Sequence, residues 1–131
     1  MSEENVQVVR GFFEAWNAGD MDALRETQDP DVILQTVENW PEPGPYVGRA
    51  AVMRWFEQLR DTWDADEGEP IDFVDAADRV VVRFTWHGSG HHGPESNMEF
   101  TCVFTVRNGR ICGQDYFWDH QEALEAAGLT E

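Results

Sequence analysis

The sequence predicts an α+β fold: a cone-shaped α+β barrel, a strongly curved antiparallel sheet packed on three helices from the N-terminal half, with a short C-terminal helix. Three observations lead there. Apolar residues recur at helical spacing over the first two dozen positions and again over 49–64. From Arg79 onward they alternate with period two, so each set lines one face of a strand. Two of the alternating runs flank Asn108-Gly109, a strong hairpin signal. Helices early and antiparallel strands late give the α+β order.

Ser2 to Ala18 forms the first helix, with Val6, Val9, Phe13 and Trp16 in one stripe and Phe12 beside it. Gly19 stops it as a left-handed residue. Asp20 caps a second helix to about Gln28, with Met21 and Leu24 inward. Asp29-Pro30-Asp31 reads as a turn. Val32 to Val37 is a strand with Val32, Leu34 and Thr36 on one face. Between Glu38 and Gly48 three prolines, two glycines and the rings of Trp40 and Tyr46 make a rigid loop, expected over the mouth of a cavity. Helix three runs from about Arg49 to Asp64, with Ala51, Val52, Trp55, Phe56, Leu59 and Trp63 along one side. Asp64 to Pro70 reads as an acidic turn, and Ile71 to Ala76 as a strand.

Arg79 to His87 is a clear strand, with Val80, Val82, Phe84 and Trp86 on one side. A Gly- and His-rich loop from Gly88 to Pro94 leads into the hairpin. Two hairpin registers are open. A two-residue type I′ loop pairs Val106 with Ile111. A three-residue loop with Gly109 left-handed pairs Val106 with Arg110 and sets Phe104 opposite Cys112, Cys102 opposite Gln114 and Phe100 opposite Tyr116. The second is preferred, because it gathers Phe100, Cys102, Phe104, Gln114, Tyr116 and Trp118 on one wall. Asp119 then caps a last helix, with Glu122 completing a capping box, and Gly128 ends it.

At 131 residues the chain reads as a single domain over 1–131 with one core. Its net charge is −17, and all nine cations are Arg. Such a surface repels nucleic acid and anionic membranes, so neither is expected as a partner. The absence of Lys excludes Schiff-base chemistry. No signal peptide or 18-residue apolar run is seen, and a cytoplasmic protein is the expectation. Cys102 and Cys112 lie diagonally in the preferred register, which disfavours a disulfide. Six Trp within a 12% aromatic content point to large buried rings or a lined cavity.

The inner set is Phe12, Trp16, Trp55, Phe56, Val82, Phe84, Trp86, Phe100, Phe104, Tyr116 and Trp118. It predicts an aromatic pocket for a flat apolar molecule, against the plain alternative of a filled core. Thr36, Cys102, Gln114 and Tyr116 are the polar groups expected inside. Tyr116 is placed to donate to a developing oxyanion, with Gln114 orienting the carbonyl. Cys102 is a nucleophile only with a nearby base, which no His clearly supplies. Glu38, continuing the Leu34–Thr36 face, is the one acid able to reach the cavity as a base. His87, His91 and His92 sit in a Gly-rich loop whose adjacent side chains diverge, and His120 is expected at the surface. No metal and no cofactor are expected.

Several landmarks resemble the SnoaL-like branch of the nuclear transport factor 2-like superfamily. They are Trp16-Asn17-Ala18-Gly19-Asp20, Asp29-Pro30-Asp31-Val32, Gly44-Pro45-Tyr46-Val47-Gly48-Arg49, Asp78-Arg79-Val80-Val81-Val82, Arg107-Asn108-Gly109-Arg110 and the run from Glu122 to Leu129. The resemblance spans nearly the whole chain and implies the same cone fold. Carried over by position, the base Asp of ketosteroid isomerases falls on Thr36, their oxyanion Tyr on Phe12 and their protonated Asp on Cys102. The His and Asp of SnoaL-type cyclases fall on Cys102 and Tyr116. The acids and Arg of the epoxide hydrolases have no counterpart on the inner face from Val80 to Trp86 or from Cys112 to Trp118. The resemblance therefore implies a small-molecule pocket holding a polycyclic, polyketide or terpenoid-like compound. If catalytic, the chemistry is cofactor-free proton transfer of isomerase, cyclase or dehydratase type. The other reading is a non-catalytic ligand-binding or dimerisation module. A homodimer through the outer sheet face is expected, because Val81, Thr85, Thr101, Val103, Thr105, Ile111 and Phe117 make that face too apolar for water, with Arg83 and Asp115 pairing within it.

Overall fold

A computed structural model describes residues 2–40, 44–90 and 95–129. Helix α1 (Ser2–Ala18) buries Val9, Phe12, Phe13 and Trp16 and stops at Gly19, whose φ is +72°. Asp20 caps α2 (Met21–Glu26) by accepting from the Ala23 N–H at 3.0 Å. Strand β1 (Gln28–Gln35) follows, then the short β2 (Tyr46–Val47) and helix α3 (Arg49–Thr62), which buries Val52, Met53, Trp55 and Phe56. Four long strands then run as a meander: β3 (Trp63–Ala76), β4 (Arg79–Gly90), β5 (Glu95–Arg107) and β6 (Arg110–Phe117). Helix α4 (His120–Ala126) ends the fold.

The six strands form one curved sheet in the order β2-β1-β6-β5-β4-β3. It is mixed rather than wholly antiparallel, because β1 lies parallel to β6. Alternation within each strand cannot reveal the direction of a neighbour so distant in the chain. Two segments expected as turns are strand. Asp29-Pro30-Asp31 lies within β1, where the pairing with β6 slips between Gln28 and Ile33 and so spares the ladder the N–H that proline lacks. The acidic run before Pro70 belongs to β3, an edge strand, where charge and proline do not cost a buried ladder. Gly88 to Gly90 extends β4, and the rest of the Gly- and His-rich segment, with His91 and His92, lies outside the described residues. The side chain of Trp63 also lies outside them.

The hairpin takes the other register. Asn108 and Gly109 both have positive φ, at 55° and 78°, and form a two-residue loop that pairs Val106 with Ile111. The ladder then slips, so that Thr105 faces Gly113 and Cys112 is the extra residue of a bulge. Phe104 accordingly faces Gln114, and Cys102 faces Tyr116, not Cys112 and Gln114 as the three-residue loop required. One inserted residue restores the parity the turn had inverted. Gln114 and Tyr116 stay on the Phe104 wall, whereas Ile111 moves from the outer face into the main core.

The outer face is covered in part by its own chain. Val81 and Val103 are buried beneath Ala123, with Leu124, Ala127 and Leu129 packed around them. The Asp119 cap bonds the Gln121 N–H at 2.8 Å, and Gly128 (φ +82°) turns the chain so that Leu129 N–H reaches the Leu124 carbonyl at 2.8 Å. Arg79 donates to the Ala126 carbonyl at 3.1 Å. His120 is half-buried and bonded to Thr101 Oγ1 at 3.0 Å, not simply at the surface. Arg83 pairs with Glu99 at 2.6 Å instead of Asp115. Among the described residues no helix is long and apolar enough to cross a membrane.

Candidate functional site

Along the meander, one end of the sheet is packed shut and the other is hollow. At the packed end Val80, Val82, Cys102, Phe104, Val106 and Ile111 are all buried. Phe104 is fully enclosed, its ring 5.3 Å from Phe12 and 6.0 Å from Phe13 between centroids. Toward the far end a cavity of about 650 Å³ opens, within the range of small-molecule sites. Helix α1 contributes Phe12, Phe13 and Trp16, and α3 contributes Trp55, Phe56, Gln58 and Leu59. The sheet contributes Gly68, Phe84, Trp86, Met98, Phe100 and Tyr116, and the segment after β1 adds Thr36, Val37 and Trp40.

Rings hold one another in place around this space. Phe84 stacks on Phe100 at 5.6 Å, and Phe100 on Trp118 at 4.8 Å, a row across β4, β5 and the end of β6. Trp55 contacts Phe56 at 5.5 Å and Tyr46 at 5.8 Å, which fixes the α3 wall. Where α1 ends, the Asn17 amide donates to the Gly68 carbonyl at 2.9 Å and accepts from the Gly68 N–H at 2.8 Å. It thereby satisfies both backbone groups of Gly68 on the free edge of β3. A side chain at Gly68 would begin 3.3 Å from the Phe13 ring, so glycine lets helix and strand approach.

The sequence-predicted site residues divide into three groups. Phe12, Trp16, Thr36, Trp55, Phe56, Phe84, Trp86, Phe100 and Tyr116 line the cavity. Val82, Phe104, Cys102 and Gln114 are buried behind it, and Trp118 is 50% exposed outside it. Glu38 is a correction: its side chain is exposed and does not reach the cavity. Thr36 and Val37 are both buried, so alternation ends there, and a turn through Asn39 (φ +67°) carries Glu38 outward. Only its backbone enters the architecture, where its carbonyl accepts the Trp118 indole N–H at 3.0 Å.

Of the lining residues not expected, Met98 was legible as the next even position before Phe100, and Phe13 and Leu59 already stood on inward helix stripes. Trp40 fits the expectation of rings over the mouth. Gly68 and Gln58 carried no sequence signal.

Behind Tyr116 runs a buried chain of polar groups. Its hydroxyl donates to Gln114 Oε1 at 2.8 Å, and Gln114 Nε2 donates to Gln28 Oε1 at 2.7 Å. Gln28 Nε2 donates to Thr27 Oγ1 at 2.8 Å, and that hydroxyl donates to the Leu24 carbonyl at 2.6 Å. Gln28 and Gln114 are both fully buried. Burial pushes the Tyr116 hydroxyl and the Cys102 thiol well above their ordinary pKa values, so both stay protonated. Thr36 Oγ1 accepts from the Gly44 N–H at 3.3 Å. Among the described lining residues there is no carboxylate, histidine or arginine. His87 lies away from the cavity, hydrogen-bonded to Asn97 and, at 3.0 Å, to Glu69.

Solved structures share this architecture. A nuclear transport factor 2-like protein of unknown function from Burkholderia pseudomallei K96243 superposes with a TM-score of 0.79 at 22% identity, over 93% of this chain and 95% of its own. A nuclear transport factor 2-like protein from Burkholderia xenovorans LB400 gives 0.76 at 25% identity, over 97% of each chain. A protein from Sinorhizobium meliloti described as a candidate polyketide cyclase gives 0.71 at 27% identity, over 84% of this chain and 93% of its own. No curated protein matches the sequence. The family model for the SnoaL-like domain matches residues 9–114, which takes in both helical walls, the described cavity lining other than Tyr116, and the buried chain behind it as far as Gln114. The chain belongs to the SnoaL-like domain family.

Proposed function

We propose that this protein binds a flat, largely apolar small molecule in the aromatic cavity, without acting on it by proton transfer. The observation that carries the reading is a cavity of about 650 Å³ walled by rings, with no carboxylate, histidine or arginine among its described lining residues. Such a wall gains free energy from apolar area and ring stacking, roughly 25 cal/mol per Å² buried. It offers no group near neutral pKa to take a proton from carbon. Thr36 and Phe12, the positions onto which the resemblance carries the base and the donor of ketosteroid isomerases, line the cavity, and neither side chain supplies that chemistry. The Sinorhizobium relative, described as a candidate polyketide cyclase, supports a polycyclic or polyketide-like ligand class. It also favours the rival reading, catalysis.

Two measurements separate the readings. Calorimetric titration with a bicyclic aromatic probe such as 2-naphthol should give saturable one-site binding, and a core packed shut would give none. Incubation of 2-tetralone with the protein in D₂O should leave deuterium uptake beside the carbonyl at the buffer rate. Accelerated, protein-dependent uptake would restore the proton-transfer reading.

A further inference from the structure

The direction of the buried hydrogen-bond chain is set from one end. A backbone carbonyl can only accept, so at the Leu24 carbonyl the Thr27 hydroxyl must be the donor. With its proton committed, Thr27 Oγ1 can only accept from Gln28, which fixes that contact as Nε2. Gln28 then presents Oε1 to Gln114, which must answer with Nε2. Gln114 is left with Oε1 toward Tyr116, and Tyr116 must donate. Each amide orientation follows from the last, with no freedom for a flip.

We infer that Tyr116 is a hydrogen-bond acceptor toward the cavity, so that the site selects ligands carrying a hydroxyl or N–H at that end over ligands carrying only a carbonyl. The inference rests on the binding reading above and names the ligand polarity of that same site. Tyr116 lines the cavity, whereas Gln114, which takes its proton, is fully buried behind the wall. The proton therefore points away from the ligand, and the oxygen's remaining lone-pair capacity is what the cavity receives. Cys102, paired opposite Tyr116 on β5 and buried on that far side, lies within hydrogen-bonding reach of the same hydroxyl. With the Tyr116 proton already taken by Gln114, the protonated thiol can only donate there, which uses one lone pair of the oxygen and leaves the other to the cavity. Turning Tyr116 into a donor toward the ligand would leave Gln114 Oε1 buried without its partner, which costs more than a typical ligand hydrogen bond returns. This polarity is opposite to that of an oxyanion-stabilising tyrosine, the role the sequence suggested.

The test compares 2-naphthol, a donor, with 2-acetylnaphthalene, which only accepts, by calorimetry on the wild-type chain and on Tyr116→Phe. Loss of one hydrogen bond of ordinary strength should weaken 2-naphthol roughly 3- to 10-fold in Tyr116→Phe and leave 2-acetylnaphthalene within about twofold. The double variant Gln28→Leu with Gln114→Leu removes both amides together, frees the Tyr116 proton and should shift the preference toward the ketone. Should that variant not fold, the Tyr116→Phe comparison decides alone. Equal weakening of both probes, or weakening of the ketone only, overturns the inference while leaving the binding reading intact. Failure of both probes to bind wild-type protein overturns the binding reading itself.

Discussion

At Cys102 burial holds the thiol protonated, with the Asp115 charge acting in the same direction. Cys112, the extra residue of the β6 bulge, is only half-buried, and both cysteines are free. With dithiobis-nitrobenzoate at pH 8 the native protein should therefore release one equivalent of thiol quickly and the second only on denaturation. Two fast thiols would contradict the packing of β5 against β6. Phe104 should be among the costliest core residues: it is fully buried between Phe12 and Phe13, and Phe104→Ala should lose about 3–5 kcal/mol in denaturant unfolding. His87 has its pKa raised above the usual 6.5, first by the Asn97 hydrogen bond and then by Glu69. A raised histidine stabilises the fold fully below its unfolded value and loses that contribution as pH rises through its folded value. An NMR titration should place its midpoint above 6.5, and Glu69→Gln should lower it. At this scale the sequence was most legible where a side chain simply points inward, as with Phe84, Phe100 and Tyr116. It was least legible at Gln28, a polar residue whose burial depends on meeting Gln114, 86 positions away.

Among the elements, the β5–β6 hairpin shows how a local signal can be right about a turn and silent about the strand beyond it. Asn108-Gly109 locates the reversal, and its positive φ values are those the dipeptide is suited to. The bulge at Cys112 leaves no trace in composition, yet it decides which residues face Phe104. Gly109→Ala, at φ +78°, should cost about 1–2 kcal/mol, the usual penalty for a left-handed residue with a Cβ. A neutral effect on unfolding would argue against the left-handed backbone at Gly109. Strand β3 was illegible for another reason: at a sheet edge, charges and Pro70 are tolerated, so its sequence resembles a turn. Helix α4 was read correctly as a capped helix, but its role as the cover of Val81 and Val103 required the sheet's curvature. Asp119→Ala should cost about 1 kcal/mol through the lost cap.

For the whole molecule, α4 removes much of the ground on which dimerisation was expected, since Val81 and Val103 are already buried within one chain. The outer face still exposes Ile33 by 46% and Val47 by 65%, paired across β1 and β2. We propose that a homodimer forms on this remaining apolar ground. Sedimentation at micromolar concentration and moderate salt should show the dimer, with salt favouring it because a charge of −17 per chain repels its copy. A monomer under those conditions would contradict the proposal. The central claim, however, is the open aromatic cavity, and it bears on four tryptophans at once: Trp16, Trp40, Trp55 and Trp86 all line it. Their indole N–H signals in a ¹⁵N NMR spectrum, recorded while 2-naphthol is added, test that claim most directly. An open cavity requires these four signals to shift together and saturate at one ligand per chain; signals that stay fixed, or that drift without saturating, would contradict it.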